Sequence, residues 1–413
     1  MAKGSEEILR KREVLGWKLG LERMRRLCSL LGMPQNRFAS IHVVGTNGKT
    51  SVTRMTAALL EAHGVSAGAY LSPHIYSWRE RVLIRGEPIA EEAFTEALER
   101  TEEAAEVADR SAGEEGPVTQ FELLTAAAFV AFASARVEFA VVEAGLGGRL
   151  DASNVIPSKI TVLTSIGLDH TEWLGETLEE IAGEKLAVLR DHTTLIVGDV
   201  PGAVEPVIER ELERRHARVT RVYVDAGGDT VTYRDRNLAL AESATEHALG
   251  RLDPDAVGGL QSITIPGRAE LVPGDPPEIF DAAHNPDGAR ALAEALPELT
   301  QGADVVCCLA VLEGKDAAGI VNGLAPACAH FVCTEIPPDQ IEGSGRPGGR
   351  ARPALELTAL CEKAGISAEA IPDPLRAWAR ARELAKQRGG VALAAGSHYL
   401  LGCIWTERPA QSY

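Results

Sequence analysis

The chain has 413 residues, of which 45% are hydrophobic and 24% are charged, and its formal net charge is −17. This length predicts two domains of ordinary size, and the composition is typical of a folded globular protein, which excludes a disordered, collagen-like or coiled-coil chain. Because the chain has 59 acidic and 42 basic residues, its net charge is negative, and we expect no nucleic acid among its partners.

No run of the sequence approaches the roughly 20 apolar residues of a membrane span, and the segment MAKGSEEILRKREVLGWK lacks the apolar centre of a signal peptide. The cysteines number seven and form no Cys-x-x-Cys pair. An odd, scattered set of this kind suits a reducing compartment and indicates neither a disulfide framework nor a zinc site. We therefore expect a cytoplasmic protein with no membrane partner.

Short apolar segments alternate with amphipathic stretches along the chain, which predicts an α/β fold with parallel-rich sheets. The first set of strands is predicted at residues 41–44, 68–71, 139–143, 160–166 and 194–197, with a helix at 51–63. The second set is predicted at 279–281, 305–310, 330–333 and 391–395, with helices at 287–296 and 375–387.

A boundary near Pro266 separates a predicted domain of residues 1–265 from a second one of residues 266–413. Residues 198–265 fit neither set of strands. The sequence is compatible with two interpretations of this segment, a subdomain and a linker. The segment GSGRPGGRARP, at 343–353, is rich in glycine, proline and arginine and predicts a surface loop.

The segment GTNGKTS, at residues 45–51, lies between the first predicted strand and its helix. Backbone N–H groups at such a junction can bind phosphate groups, Lys49 can neutralise their charge, and Thr50 or Ser51 can hold a magnesium ion. Val43 stands where the full phosphate-loop pattern has its first glycine. An ordinary glycine turn with a surface lysine is the alternative interpretation.

Three possible metal ligands lie at or just past the ends of predicted strands: Ser72, Glu143 and His170. Parallel sheets bind ligands at this edge. A hydroxyl, a carboxylate and an imidazole leave coordination positions for phosphate oxygens and water, which suits magnesium bound together with a nucleotide. Each residue alone also fits a turn, a strand end or a helix cap, but their joint placement beside one phosphate loop favours a metal–nucleotide site.

Two further segments contain residues that could bind a ligand or react. EAGLGGRLDASN, which begins at Glu143, lets the backbone approach a ligand and presents Arg149 and Asp151. Lys185 lies among apolar residues, where a lysine loses its proton easily, and a neutral amine can react with carbon dioxide to give a carbamate. A surface lysine whose stem covers apolar neighbours is the alternative for Lys185.

In the second half, FDAAHNP at residues 280–286 and GSH at 396–398 also follow predicted strands. The first of these brings an acid, an imidazole and an amide together at a strand end. Asn285 before Pro286 equally fits a helix cap with proline at the first helical position.

Taken in order, these motifs resemble the folylpolyglutamate synthase and dihydrofolate synthase family of the Mur-type ATP-dependent ligases. The resemblance is carried by LGLERM, LGMPQNRFASIHVVGTNGKTS, LSPHIYSWRERVLIRGEPI, VEAGLGGRLDASN, TSIGLDHTEWLG followed by GEK, PGR, FDAAHNP and AGSHYL. It implies an N-terminal P-loop ATPase domain and a smaller Rossmann-like C-terminal domain. The activity that it implies is ADP-forming ligation of L-glutamate to dihydropteroate or reduced folates through an acyl phosphate.

The resemblance also implies roles for individual residues. Catalysis is assigned to Lys49, Lys185 and His170, with Lys185 carbamylated, and the magnesium ions, at two sites, are assigned to Ser72, Glu143 and His170. ATP binding is assigned to Thr46, Asn47, Gly48, Lys49, Thr50, Asn237, Arg268 and Asp281. The pteroate is assigned to Thr119, Phe121, Leu150, Asp151 and Ala152, and the incoming glutamate to His284 and Ser397.

Thr50 departs from the pattern, because folate ligases usually have glycine there and cell-wall ligases often have threonine. A Mur-like ligase that joins an amino acid to another carboxylate is therefore the alternative within enzymes. Outside enzymes, the alternative is an ATP-driven switch that signals by domain closure, although such a switch needs no acceptor motifs such as FDAAHNP. The resemblance implies small-molecule partners and a monomer, and it leaves open whether the first glutamate, later ones or both are added.

Overall fold

The computed structural model describes residues 4–13, 18–224, 231–260, 263–342 and 348–405. The chain divides into two compact units, Met1–Ile263 and Thr264–Tyr413. Each unit is built around its own sheet. The predicted α/β fold, with a large parallel-rich sheet followed by a second, smaller one, is confirmed.

The first unit holds eight described strands and ten described α-helices. The strands are β1 (Ala39–Val44), β2 (Ala67–Tyr70), β3 (Val82–Ile84), β4 (Glu87–Pro88), β5 (Phe139–Glu143), β6 (Ile160–Leu163), β7 (Thr194–Val197) and β8 (Arg218–Arg221). The helices are α1 (Ser5–Glu13), α2 (Glu22–Leu30), α3 (Lys49–Ala62), α4 (Glu91–Asp109), α5 (Gln120–Ala135), α6 (Thr171–Leu174), α7 (Leu178–Leu186), α8 (Glu205–Arg215), α9 (Tyr233–Leu249) and α10 (Pro254–Leu260).

The strands of the first sheet follow the order β4-β3-β2-β5-β1-β6-β7-β8. All pairs from β2 to β8 are parallel, whereas β3 pairs antiparallel with both β2 and β4. The carboxyl ends of β2, β5, β1 and β6 therefore meet side by side at one edge. This order places the loops after four neighbouring strands in reach of one another.

Both faces of this sheet are buried, which explains why its strands are nearly continuous apolar runs. Successive side chains point to opposite faces, and in β5 Val142 packs in a cluster with α1, α2, α4 and α5. Val141 faces the other side, where α3 and α9 supply the partners. Helices α7 and α8 pack against β6 and β7.

The second unit has a six-stranded sheet in the order β13-β12-β11-β14-β10-β9 within the described residues. Only the β10–β9 pair is antiparallel there. The strands are β9 (Glu270–Val272), β10 (Glu278–Phe280), β11 (Val305–Leu309), β12 (His330–Cys333), β13 (Ala368–Ala370) and β14 (Val391–Ala395). The helices are α11 (Pro286–Leu299), α12 (Ala317–Leu324), α13 (Pro338–Glu342), α14 (Ala354–Lys363), α15 (Pro374–Gln387) and α16 (His398–Ile404).

Each predicted strand and helix corresponds to an observed one whose ends differ by up to three residues, while strands β3, β4, β9 and β13 were not predicted. The strand predicted at 160–166 ends at Leu163, because Thr164 turns to donate a hydrogen bond of 2.6 Å from its Oγ1 to the carbonyl of Asn47. For residues 198–265 the sequence left two alternatives, a subdomain and a linker. The structure shows α8, β8, α9 and α10 in this segment. Since β8 pairs with β7 and α9 packs on α3, this segment completes the first unit.

Residues 343–347 of the predicted surface loop lie outside the described residues. Among the helices that the structure does describe, none combines the length and the apolarity needed to cross a membrane.

Candidate active site

The phosphate-loop segment joins β1 to α3 at the carboxyl edge of the first sheet. Gly48 is the residue before α3 and has φ +84°, and no side chain caps the helix there. The first turn of an α-helix has N–H groups without intrahelical partners and carries partial positive charge. The loop therefore has the local structure of a phosphate site.

The loop after β6 fixes the shape of the phosphate loop. Thr46 donates its N–H to the carbonyl of Ser165 at 2.9 Å, and Asn47 donates its N–H to Ser165 Oγ at 3.0 Å. The hydroxyl of Thr46 lies 3.0 Å from the N–H and 3.1 Å from the carbonyl of Gly167. Sequence reasoning missed Thr164 and Ser165, because both fall inside the strand predicted at 160–166, whereas the observed strand ends at Leu163.

Two glycines of the loop have no room for a side chain. A Cβ on Gly45 would lie 1.9 Å from Thr164 Oγ1, and one on Gly48 would lie 2.5 Å from Asn237 Oδ1. Asn237 belongs to α9, far from the loop in sequence. The structure thus places this candidate nucleotide residue directly against the phosphate loop.

Glu143 ends β5 with its side chain 1% exposed. Its Oε1 accepts a hydrogen bond of 3.1 Å from Thr50 Oγ1, and its Oε2 accepts one of 3.2 Å from the N–H of Ser72. Both of these donors are neutral groups, a hydroxyl and a backbone amide. Three of the candidate residues, from three different strand ends, are therefore brought together.

His170 and Lys49 occupy the same edge of the sheet. His170 has φ +52°, and its Nε2 lies 4.0 Å from Asp169 Oδ2 on the loop after β6. Lys49 donates from Nζ to the carbonyl of Thr46 at 3.0 Å, which holds its ammonium over its own loop. Asp169 is an acidic residue that sequence reasoning did not select.

Lys185 lies on α7 with its side chain 4% exposed, so the interpretation as a surface lysine is wrong. Its Nζ donates to the carbonyl of Gly45 at 2.8 Å. Burial, followed by the charge of Lys49, lowers the pKa of Lys185 to about 7, against the opposing charges of Asp169 and Asp151. A substantial fraction of this amine is therefore neutral and nucleophilic near neutral pH.

The candidate pteroate residues lie in two places, the start of α5 and the segment EAGLGGRLDASN at residues 143–154, called here the glycine-rich segment. Thr119 caps α5, and its Oγ1 donates to Glu122 Oε2 at 2.9 Å. The ring of Phe121 packs so closely on this segment that a Cβ on Gly145 would lie 2.5 Å from its Cζ. Buried Glu122 also pairs with Arg23 at 3.0 Å, which fixes the start of α5.

Asp151 uses both carboxylate oxygens inside the glycine-rich segment. Its Oδ2 accepts from the N–H of Leu146 at 2.9 Å, and its Oδ1 accepts from the N–H of Ser153 at 2.9 Å and from the Ser153 hydroxyl. Burial raises the pKa of Asp151, and these hydrogen bonds oppose the rise. Its neighbour Leu150 is 40% exposed, whereas Ala152 is buried.

The loop between β2 and β3, which includes Ser72, contains a cluster around buried Arg81 and His74 that sequence reasoning missed. Arg81 donates from Nε to His74 Nδ1 at 2.9 Å, and its guanidinium lies 4.6 Å from the centre of the Trp78 ring. Burial and then the charge of Arg81 lower the pKa of His74 well below its ordinary value. The neutral imidazole can thus accept this hydrogen bond.

In the second unit, the four candidate residues lie at or near the carboxyl ends of the paired strands β10 and β14. Asp281 follows β10, and its two oxygens accept from the N–H groups of Ala269 and Ala283 at 2.7 Å each. Burial raises the pKa of Asp281, and the charge of Arg268 opposes the rise.

The remaining second-unit candidates flank the starts of α11 and α16. The His284 ring lies 6.5 Å from that of His398, and Ser397 caps α16 by accepting from the N–H of Tyr399 at 3.2 Å. Asn285 caps α11 by accepting from the N–H of Gly288 at 2.8 Å. The helix-cap interpretation of Asn285 is thereby confirmed.

Comparisons with known proteins agree with this architecture. Residues 43–255 match the Mur ligase middle domain, and residues 267–398 match the Mur ligase glutamate ligase domain. The dihydrofolate synthase/folylpolyglutamate synthase of Mycobacterium tuberculosis is 36% identical over 389 residues, which cover 84% of this chain and 77% of the relative.

Solved structures are similar over nearly the whole chain. Folylpolyglutamate synthase from M. tuberculosis, complexed with ADP, has a TM-score of 0.87 and 32% identity and covers 98% of this chain and 99% of its own. A bifunctional folylpolyglutamate synthase/dihydrofolate synthase with Mn, AMPPNP and L-glutamate bound has a TM-score of 0.83 and 27% identity, with 98% of both chains covered. The chain belongs to the Mur ligases and, among them, to the dihydrofolate synthase/folylpolyglutamate synthase family.

Proposed function

We propose that this protein is an ADP-forming ligase that joins L-glutamate to dihydropteroate, to reduced folates or to both. The observation that carries the proposal is the contact of buried Glu143 with both Thr50 and Ser72, directly beside the phosphate loop. A buried carboxylate at this position suits a metal ion that accompanies nucleotide phosphates.

The reaction proceeds in two steps. An oxygen of the substrate carboxylate attacks the γ-phosphorus of ATP, the bond to ADP breaks, and an acyl phosphate forms. The amine of glutamate then attacks the acyl carbon, phosphate leaves with the C–O electron pair, and the amine gives up a proton as the amide forms. Catalysis of such steps is mainly positioning and charge stabilisation.

Residues of the first unit bind the nucleotide phosphates and neutralise their charge. The N–H groups at the start of α3 bind the phosphates, with Thr46, Asn47 and Gly48 in the loop, and Lys49 neutralises charge on the transferring phosphoryl group. Asn237 buttresses the loop at Gly48.

The hydroxyl and carboxylate oxygens of Ser72 and Glu143 fit magnesium, and we assign the ion to these two residues together with His170. When bound, magnesium supplies positive charge to the phosphate oxygens. A second metal site would be completed by a carbamate on Lys185, formed when the neutral Nζ attacks carbon dioxide and releases one proton. Burial of Lys185 and its lowered pKa support this assignment.

Substrate groups are assigned to both units. Phe121 offers a flat face for the pterin, and Leu150 is exposed. Thr119, Asp151 and Ala152 are assigned to the same substrate. In the second unit, Arg268 and Asp281 are assigned to ATP, and His284 and Ser397 to the incoming glutamate.

The test is ADP release from Mg-ATP with glutamate present, with dihydropteroate, tetrahydrofolate or no acceptor, together with the product mass. We expect a gain of one glutamate with at least one acceptor, and loss of that gain in Lys49→Ala. Lys363→Ala, on the exposed side of α14, is the matched control and should keep full activity.

ATP hydrolysis at a rate that does not depend on the acceptor would favour the ATP-driven switch instead. Product formation only with another carboxylate would favour the Mur-like alternative. A folded Lys49→Ala variant with full ligase activity would refute the assigned phosphate site.

A further inference from the structure

A chain of three buried polar side chains links β1 to the glycine-rich segment. In it, His42 Nε2 lies 2.8 Å from Ser153 Oγ, and the Ser153 hydroxyl donates to Asp151 Oδ1. His42 belongs to β1, which leads into the phosphate loop, and the other two residues belong to the glycine-rich segment. His42 and Ser153 are fully buried, and Asp151 is 3% exposed. Of the three residues, only Asp151 has a role in the proposed function.

The hydrogen-bond partners fix the direction in which each group of this chain donates. A serine hydroxyl has a single hydrogen, and Ser153 donates it to Asp151. The Ser153 oxygen therefore accepts from His42, so the imidazole carries a hydrogen on Nε2. Burial, followed by the charge of Arg190, lowers the pKa of His42 to about 3. The imidazole is therefore neutral, and its Nδ1 has a lone pair and no hydrogen.

The Nδ1 atom of His42 has no hydrogen-bond partner within the described part of the chain. A buried polar atom without a partner lowers the stability of the fold. A leucine in place of His42 would fill a similar volume without this cost. Stability alone therefore does not account for the imidazole, and its contribution has to lie in the group that it helps to hold.

That group is the Asp151 carboxylate. The N–H of Leu146 donates to its Oδ2 at 2.9 Å, while Ser153 donates to its Oδ1, so both oxygens are held. A Cβ on Gly145 would lie 3.3 Å from Asp151 Oδ2 and 2.5 Å from Phe121 Cζ. The carboxylate and the Phe121 ring therefore border the same backbone position. A rotation of the carboxylate would change the surface assigned to the pteroate.

We propose that His42 and Ser153 are positioning residues for the pteroate, which hold the Asp151 carboxylate in the orientation that binds this substrate. The inference rests on the proposed function, in which Asp151 is assigned to the pteroate. Because both side chains are fully buried, they act on the substrate only through Asp151. Neutral donors suit this task, since they orient a carboxylate without forming the ion pair that an arginine or a lysine would form with it.

The test is steady-state kinetics of the full chain with the concentration of the pteroate acceptor varied. His42→Leu removes the Nε2 donor and keeps a side chain of similar size. We expect its KM for the acceptor to rise about tenfold, with kcat and the KM values for Mg-ATP and glutamate within about twofold of the wild type. Its free energy of unfolding should not fall, because the unpartnered Nδ1 is removed.

Two matched variants separate positioning from packing. His42→Gln offers an amide N–H in place of the Nε2 donor and should restore an acceptor KM near that of the wild type. Thr161→Val changes the register partner of His42 on β6, a buried residue whose Oγ1 likewise has no hydrogen-bond partner among the residues that the structure describes. This control removes a buried hydroxyl outside the chain of three and should keep the wild-type KM.

Ser153→Ala interrupts the same chain by a smaller change. The acceptor KM should rise at least as much as in His42→Leu, because Asp151 loses its hydroxyl donor directly. The double variant His42→Leu/Ser153→Ala should be no worse than Ser153→Ala, since one break already disconnects His42 from Asp151. Additive effects of the two substitutions would overturn the inference.

Three kinetic results would also overturn it: an unchanged acceptor KM in His42→Leu, no recovery in His42→Gln, and a parallel loss of kcat, ATP affinity and stability. Calorimetric binding of dihydropteroate and of tetrahydrofolate, with Mg-AMPPNP present, separates this inference from the proposed reaction. If the wild type binds an acceptor without turnover and His42→Leu weakens that binding, the reaction is refuted and the positioning role stands. If the wild type binds neither acceptor, both are refuted.

Discussion

Replacing Gly48 with alanine separates backbone strain from crowding at the phosphate loop. Gly48 has φ +84°, and its added Cβ would lie 2.5 Å from Asn237 Oδ1. Gly64, just beyond the other end of α3, has φ +78°, and a Cβ there would meet nothing within 4 Å. The two substitutions thus share a backbone cost and differ in their neighbours.

The left-handed backbone costs alanine about 1–2 kcal/mol relative to glycine at either position. Crowding against Asn237 adds roughly 1–3 kcal/mol at Gly48 alone, by analogy with overpacked sites. We therefore expect Gly64→Ala to lower the free energy of unfolding by about 1–2 kcal/mol and Gly48→Ala by about 2–5 kcal/mol.

We expect only the substitution at Gly48 to change the affinity for Mg-ATP. A methyl group on Gly48 lies among the N–H groups that face the phosphates, so we expect Mg-ATP to bind at least about tenfold more weakly, which corresponds to about 1.4 kcal/mol. Gly64 lies at the far end of α3, and Gly64→Ala should leave the dissociation constant unchanged.

Urea unfolding followed by circular dichroism measures the stabilities, and calorimetry measures the ATP affinities. The double variant Gly48→Ala/Asn237→Ala should recover the crowding part of the loss, because the conflicting side chain is removed. Equal destabilisation by the two glycine substitutions, with no recovery in the double variant, would show that Asn237 does not press on the loop.

Two further predictions concern buried charges. The pKa of Lys185 is lowered from 10.5 to about 7, so between these pH values, in buffer free of carbon dioxide, Lys185 is protonated in the unfolded chain and neutral in the folded one. As the pH falls from 10.5 to 7, the free energy of unfolding of Lys185→Met should therefore rise relative to that of the wild type, and below pH 7 the difference should stay constant. A difference between the two denaturation curves that does not depend on pH would contradict the assignment. Arg23→Gln leaves Glu122 buried without its cation and should cost about 3–5 kcal/mol in urea unfolding, whereas Arg290→Gln, at an exposed pair, should cost under about 1 kcal/mol; similar losses would refute the importance of burial.

Strands buried on both faces were predictable because they are almost purely apolar, as in β5 and β14. Strand β8 was not, since RVTR is half-exposed and charged at the edge of the sheet. Charged residues on edge strands prevent pairing with other chains, and the same charges hide the strand from a pattern of hydrophobicity.

The candidate site divides in a similar way. The phosphate loop and Glu143 could be predicted because the loop directly follows one apolar strand and Glu143 is the last residue of another. Ser165 holds the phosphate loop through contacts between residues 118 positions apart, which no local pattern encodes. The burial of Lys185 was equally hidden, because apolar neighbours in sequence occur both beside buried lysines and beside surface lysines that cover them.

The strand order also bears on how the chain is made. The strands of the first sheet, β1 to β8, all precede residue 264, and those of the second, β9 to β14, all follow it. Among the described residues, no strand of the first sheet therefore waits for a later segment to leave the ribosome. Since domains generally fold as units during synthesis, the phosphate loop, Glu143 and Lys185 can reach their native positions while the second unit is still being translated.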